Sequence, residues 1–262
     1  MTVEDLIECK KNPVSFFRHL HRGARHSRRG PKNPWLHQEH ILNLATTGQD
    51  LFISKPRQVG LSSSLMMYAL WFAFSKPNKT VVFVNFKGVG LFKEETIKSL
   101  LDDSDPVLRA VSSEVSSLKD GHISFRNGSR VFSMPARDGT CHLPASDLVI
   151  CDEFDYFFDP HSTFLSIWPA LVASKGQLII CSSPNSSPRD SFFEECVLNS
   201  KLPGKSVRIF YSKDRFCSMP TYLSTGELGF FNGEEDIRSL MYKNWLPIGK
   251  YATICSDQVY LF

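Results

Sequence analysis

Two adjacent carboxylates, Asp152 and Glu153, close the apolar run Leu148-Val149-Ile150-Cys151. Placed at the end of a buried strand, such a pair divides two tasks. One acid, Asp152, holds a divalent cation, and the other, Glu153, polarises an attacking water. Far upstream, the apolar segment Leu51-Phe52-Ile53-Ser54 runs into Lys55-Pro56-Arg57-Gln58-Val59-Gly60-Leu61-Ser62-Ser63 and then into a second apolar stretch, Leu65 to Phe74. A strand feeding a helix through a tight loop aims free backbone N–H groups and a helix dipole at an anion. Gly60 lets the backbone approach phosphates closely, and Ser62 puts a hydroxyl where a Mg²⁺ ligand belongs. The loop departs from the standard phosphate-binding pattern GxxxxGK(S/T). Leu61 stands at the lysine position and Lys55 at the first glycine position. A third apolar run, Leu178-Ile179-Ile180-Cys181, ends in the hydroxyls of Ser182 and Ser183.

These residues need a scaffold that brings strand ends together. The runs at 51–54, 80–86, 147–153, 177–184 and 206–211 read as buried strands, and the segments between them carry helical patterns. Continuous apolar strands alternating with helices predict an α/β domain with a mostly parallel sheet flanked by helices. The loop and the acidic strand end make this a P-loop NTPase. Residues 122–135 alternate with period two around Asn127-Gly128, which predicts a β-hairpin with a two-residue turn, inserted before the acidic strand. Residues 3–20 carry a helical pattern in which Pro13 separates two short helices or opens the second, residues 88–101 read as a helix, and 234–245 as a further helix. After about residue 212 the regularity fades.

Composition narrows the options. Hydrophobic residues at 42% of 262 supply a sizeable core, and 22% charged residues are ordinary for a globular chain. The net charge of +3 is mild, so the distribution of charge matters more than its sum. The segment 18–32 is basic, with Arg18, Arg22, Arg25, Arg28, Arg29 and Lys32 and no acid. It reads either as a solvated segment or as a contact with nucleic acid or an acidic partner surface. Seven cysteines lie scattered without CxxC or zinc spacing and read as buried thiols in a reducing compartment. No segment has the order of a signal peptide or the length of a membrane span, so a soluble chain with no membrane partner is expected.

Arg57-Gln58-Val59-Gly60 resembles the variant phosphate loop of viral (tailed-bacteriophage) terminase large subunits, in which an arginine, often followed by glutamine, precedes the glycine. Some members carry the lysine at the start of the loop, and Lys55 is similar to that displaced lysine. The likeness extends over roughly residues 33–212. Pro34-Trp35-Leu36-His37-Gln38 resembles the family's adenine-contacting motif. Ser182-Ser183-Pro184 resembles its coupling motif, and the hairpin falls where the family inserts one. The resemblance implies the ASCE/RecA-like class of P-loop NTPase, with ATP and Mg²⁺ as cofactors. ATP would be held by Gln38, Lys55, Arg57, Gln58, Val59, Gly60, Leu61, Ser62 and Ser63, and the metal by Ser62 and Asp152. It implies Glu153, Asp152, Lys55 and Arg57 as catalytic residues and Ser182 and Ser183 as couplers to movement. An arginine acting across subunits is also implied. Cys141-His142 occupies the usual place, so Arg57 and Arg137 both stay open for that role.

On this resemblance the chain is an ATP-hydrolysing motor that translocates double-stranded viral DNA into a procapsid in the host cytoplasm. Its implied partners are double-stranded DNA, a portal protein on the procapsid, a small terminase subunit, and copies of itself in a ring, a pentamer by family analogy. The expected divisions are N-terminal helices and basic tract at 1–32, the motor at 33–212, and a C-terminal subdomain at 213–262 too short for the family's nuclease. The final residues, 257–262, resemble the first strand of that nuclease, which points to a truncated or split gene. Two alternatives stand beside this reading: a helicase-like P-loop ATPase, and a non-catalytic nucleotide-binding structural subunit, the latter suggested by Leu61.

Overall fold

The computed structural model describes residues 3–23, 34, 36–55, 60–86, 90–101, 105–136, 143–183, 192–193, 206–211, 229–231, 251–255 and 258–261. Its strands are β1 (Asp50–Ser54), β2 (Thr80–Asn85), β3 (Val115–Lys119), β4 (His122–Phe125), β5 (Arg130–Pro135), β6 (Leu148–Asp152), β7 (Gln177–Ser182), β8 (Ser206–Tyr211), β9 (Gly229–Phe231), β10 (Tyr251–Cys255) and β11 (Gln258–Leu261). All belong to one sheet, in the order β3-β4-β5-β2-β6-β7-β1-β8-β10-β11-β9. The six central strands, β5 to β8 in that order, run parallel, and antiparallel strands extend both flanks.

The innermost strands, β1, β2, β6 and β7, are almost continuously apolar because both faces of the sheet are covered there. Alternate residues feed two cores. Leu51, Ile53, Val81, Phe83, Leu148, Ile150 and Ile179 face one side. Phe52, Val82, Val84, Val149, Leu178 and Ile180 face the other. The first side is the larger. It is covered by α1 (Val3–Lys11), α2 (Pro13–Gly23), α3 (Leu36–Ala45), α4 (Leu61–Ser75), α5 (Glu94–Leu100) and α6 (Pro106–Glu114), which contribute among others Cys9, Phe16, Ile41, Leu65, Ile97 and Leu108. The second side is closed by α7 (Pro160–Ser174) with Phe154, Phe157 and Phe193. Helix α4 is buried all round, and so has no polar face. Its two polar rings bond to backbone carbonyls, Tyr68 to Ala45 at 2.8 Å and Trp71 to Cys9 at 2.9 Å.

Register is what builds a site from this scaffold. Ser54 lies beside Ser182, Ile53 beside Cys181, and Asp152 beside Cys181. The carboxyl ends of β1, β6 and β7 therefore stop level with one another. In an open α/β sheet this is the edge where ligands bind. One strand, β7, separates β1, which leads into the loop, from the acid-ended β6.

Several details differ from the expectations. The hairpin forms, with His122 opposite Phe132 and Ile123 opposite Val131, but its turn has three residues rather than two. Gly128 N–H bonds to Phe125 O at 3.1 Å, Phe125 N–H bonds to Ser129 O at 2.9 Å, and Gly128 alone takes the left-handed conformation, at φ 85°. This is a turn followed by a glycine bulge, which Asn-Gly serves as well as the two-residue turn. The hairpin's second strand, β5, is also a full member of the parallel sheet through its pairing with β2. The expected helix at 88–101 starts only at Glu94, after a 3₁₀ turn at Gly90–Phe92. Helix α6 and strand β3 are additions. The stretch after residue 212, where regularity fades in the sequence, holds β9 at Gly229–Phe231, and β11 pairs with β10 and β9 in the same sheet. The helix expected at 234–245 lies outside the described residues. Among the described residues no helix is long and apolar enough to cross a membrane, and Cys9, Cys151 and Cys181 are buried free thiols.

Candidate functional site

Lys55 is the first residue past β1, and its N–H extends the ladder to Ser182 O at 2.9 Å. That anchoring directs its side chain along the sheet edge rather than out to solvent. The side chain is only 4% exposed, and its ammonium bonds to Glu153 Oε1 at 2.5 Å. Glu153 Oε2 accepts the Ser183 N–H at 3.2 Å. Three strand ends thus meet in one cluster. Glu153 holds a left-handed backbone, φ 57° and ψ 43°, which a residue with a Cβ adopts only under constraint. Such strain in a turn directly after an acidic strand fits a functional position.

Asp152, buried beside it, accepts from the Cys181 thiol at 3.1 Å and from the Ser62 hydroxyl. Burial raises the Asp152 pKa against the pull of Lys55, Cys181 and Ser62. Burial also works against the charge on Lys55, but Cys181, Asp152 and Glu153 together outweigh it and raise its pKa, so it stays an ammonium. Cys181, fully enclosed, has its pKa pushed well above the usual thiol range by burial and remains a neutral donor. Its contact with Asp152 was not anticipated. The only cue in the sequence was its position one residue before the hydroxyl pair.

Gly60 opens α4 in a left-handed conformation, φ 70°. Its carbonyl accepts from Ser64 N–H at 3.2 Å, Ser64 Oγ at 3.0 Å and the Gln38 amide at 3.2 Å. The first-turn N–H groups of α4, Leu61 to Ser63, have no acceptors within the helix and face the same edge. Leu61 packs into the core, which explains why this position holds no lysine. Gln38, expected at the adenine, is buried, with its amide on the Gly60 carbonyl. Ser182 is buried, its hydroxyl accepting the Asp155 N–H at 3.1 Å and donating to Ser183 O at 3.0 Å. The buried Ser183 hydroxyl has no partner among the described residues.

The structure therefore brings together Lys55, Ser62, Asp152, Glu153, Ser182 and Ser183, with Gln38 and Gly60 at the mouth of α4 and Ser63 following in its first turn. Arg57, Gln58, Val59, Arg137 and Pro184 lie outside the described residues. Two members of the basic tract make internal pairs, Arg18 with Glu39 at 3.9 Å and His19 with Asp105 at 2.9 Å.

A lysine, a helix-opening glycine loop and an acid-ended strand, set on the carboxyl edge of a parallel sheet with one strand between them, define a P-loop NTPase fold. Within that class, the chain has the fold of the phage large-terminase ATPase domain. It is similar to the HK97 bacteriophage large terminase at 18% identity and a TM-score of 0.56, over 89% of this chain and 51% of that one. It is also similar to the large terminase ATPase domain of a Thermus phage, at 16% identity and a TM-score of 0.49, over 74% of this chain and 77% of that one. A third similar structure is the large terminase of a thermophilic bacteriophage in complex with ATP-γ-S, at 12% identity and a TM-score of 0.43, over 75% and 44% of the two chains. The chain thus spans about half the length of the HK97 protein. No family profile and no curated protein matches it.

Proposed function

We propose that this chain is the ATPase motor of a terminase large subunit, hydrolysing ATP to drive double-stranded viral DNA into a procapsid. The observation that carries the reading is the 2.5 Å pair between Lys55 and Glu153, residues distant in sequence that meet beside the mouth of a phosphate loop. A buried ammonium there replaces the lysine missing at Leu61. The β- and γ-phosphates of ATP would compete for it, leaving Glu153 to accept a proton from the attacking water. The N–H groups opening α4 would cradle the phosphates, and Gln38 would read the adenine.

The residues present fit Mg²⁺. Ser62 offers a hydroxyl and Asp152 a carboxylate, already joined to each other. Among the described residues no cluster of three or more His, Cys, Asp or Glu supplies a complete coordination shell, so the remaining oxygens would come from phosphate and water. When bound, the ion would neutralise charge on the transferring phosphoryl group. Retention of both Asp152 and Glu153 favours an active enzyme over a non-catalytic subunit. The partners of this reading are double-stranded DNA, a portal protein, a small terminase subunit and copies of the chain in a ring. In that ring Arg57 or Arg137 would act on a neighbour's nucleotide. The setting is the host cytoplasm.

Steady-state ATP hydrolysis, measured with and without double-stranded DNA, is the test. The wild type is expected to hydrolyse ATP faster with DNA. Lys55→Ala and Glu153→Gln are each expected to lose on the order of 100-fold or more. A Lys55→Ala variant hydrolysing at the wild-type rate would overturn the displaced-lysine assignment.

A further inference from the structure

We infer that the two serines ending β7 have separate roles: Ser182 is a positioning residue for Glu153, and Ser183 supplies the hydroxyl that meets the nucleotide's phosphates. The inference rests on the motor reading of this site and goes beyond it, because sequence alone treats Ser182-Ser183 as one motif.

The argument is one of proton inventory. A serine hydroxyl has a single proton to donate. Ser182, 0% exposed, gives that proton to Ser183 O at 3.0 Å and uses its oxygen to accept the Asp155 N–H at 3.1 Å. A phosphate oxygen only accepts, so Ser182 has nothing left to offer it. Asp155 belongs to the 3₁₀ turn Phe154–Tyr156, and Glu153 is the N-cap of that turn. The Ser182 contact therefore fixes the turn that holds Glu153 in its left-handed conformation, φ 57°. A second link acts on the other end of the same residue: the Ser183 N–H holds Glu153 Oε2 at 3.2 Å. By tying down the Ser183 carbonyl and the turn together, Ser182 sets where the Glu153 carboxylate sits relative to Lys55.

Ser183 differs in the partners of its hydroxyl. It is 3% exposed, yet its hydroxyl has no partner among the described residues. A buried hydroxyl without a partner is costly unless a ligand completes it. It stands at the sheet edge next to the Lys55–Glu153 pair, and its proton is free for a phosphate oxygen.

The experiment compares kcat and KM for ATP, and equilibrium binding of ATP-γ-S, in the wild type, Ser182→Ala, Ser182→Thr and Ser183→Ala, with thermal melts to establish folding. Ser182→Ala is expected to lower kcat by about 10- to 100-fold, with KM and ATP-γ-S affinity within about twofold of wild type. Ser182→Thr, which keeps the oxygen, restores most of kcat. Ser183→Ala is expected to weaken ATP-γ-S binding by about fivefold or more. Full kcat in Ser182→Ala, or unchanged affinity in Ser183→Ala, overturns the division of roles. Should Ser182→Ala not fold, Ser182→Gly, which also lacks the hydroxyl, takes its place, and wild-type kcat in that variant is again contrary. A wild type that hydrolyses no ATP would sink the motor reading itself. ATP-γ-S binding would still separate the serines, and equal effects of the two alanine variants would then refute the assignment.

Discussion

Gly60 shows how narrowly single residues constrain this site. Its left-handed backbone opens α4, and a Cβ there would lie 2.6 Å from the Gln38 amide nitrogen. Two independent costs follow for any other residue: the φ of 70° and the collision. Gly60→Ala is therefore expected to destabilise the fold by about 1–2 kcal/mol, and to weaken nucleotide binding by displacing Gln38 from the loop. Denaturant midpoints and ATP-γ-S titration would measure the two effects, and an unchanged midpoint would contradict the left-handed conformation of Gly60. At this scale much of the site was legible in the sequence. Lys55, Ser62, Asp152 and Glu153 declared themselves by residue type next to strand ends. What sequence could not supply was direction. It did not reveal that Lys55 turns onto Glu153, that Leu61 faces the core, or that of two adjacent serines one hydroxyl is bonded and the other has no partner among the described residues.

Among the elements, the central strands were legible because burial on both faces demands unbroken apolar runs, and β1, β2, β6 and β7 have them. Strand β3, Val115–Lys119, has neither such a run nor a fully buried residue, so no periodicity announced it. Helix α6 did carry a signal, Asp105 before Pro106, with the Asp105 carboxylate capping Val107 N–H at 2.7 Å. The Asn127-Gly128 dipeptide predicted a turn but not its second task. The Asn127 amide donates to the carbonyls of Ala73, Phe74 and Lys76, closing the C-terminal end of α4, the helix whose other end opens on the site. Asn127→Ala would leave those acceptors short of a donor, and a loss of about 1–3 kcal/mol is expected. Thermal denaturation would register it. A melting temperature equal to wild type would show that α4 ends independently of the hairpin, while ATP affinity is expected to hold at temperatures where the variant stays folded.

Taken as a whole, the molecule is lopsided. Among the described residues, six helices bury one face of the sheet and α7 the other, so the support of the site comes largely from the first layer. Within that layer α3 carries both Gln38, against the phosphate loop, and His40, whose pKa is lowered from 6.5 to about 4 by burial. Between those two values an unfolded chain binds a proton at this histidine and the folded chain does not. Stability is therefore fully present above pH 6.5 and falls as the pH drops toward 4, by up to about 3 kcal/mol. The His19–Asp105 contact, which joins α2 to α6, belongs to a lower range. The hydrogen bonds from His19 and Val107 outweigh burial and depress the Asp105 pKa, so that contribution survives until the pH falls through the lowered carboxylate value. Acid should thus weaken the first layer in two stages, His40 first. Melting temperatures between pH 4 and 7.5 would test the earlier stage by comparing wild type with His40→Gln. The wild type is expected to lose stability steadily below pH 6.5, and the variant to lose clearly less over the same interval. Parallel curves would remove His40 as the cause.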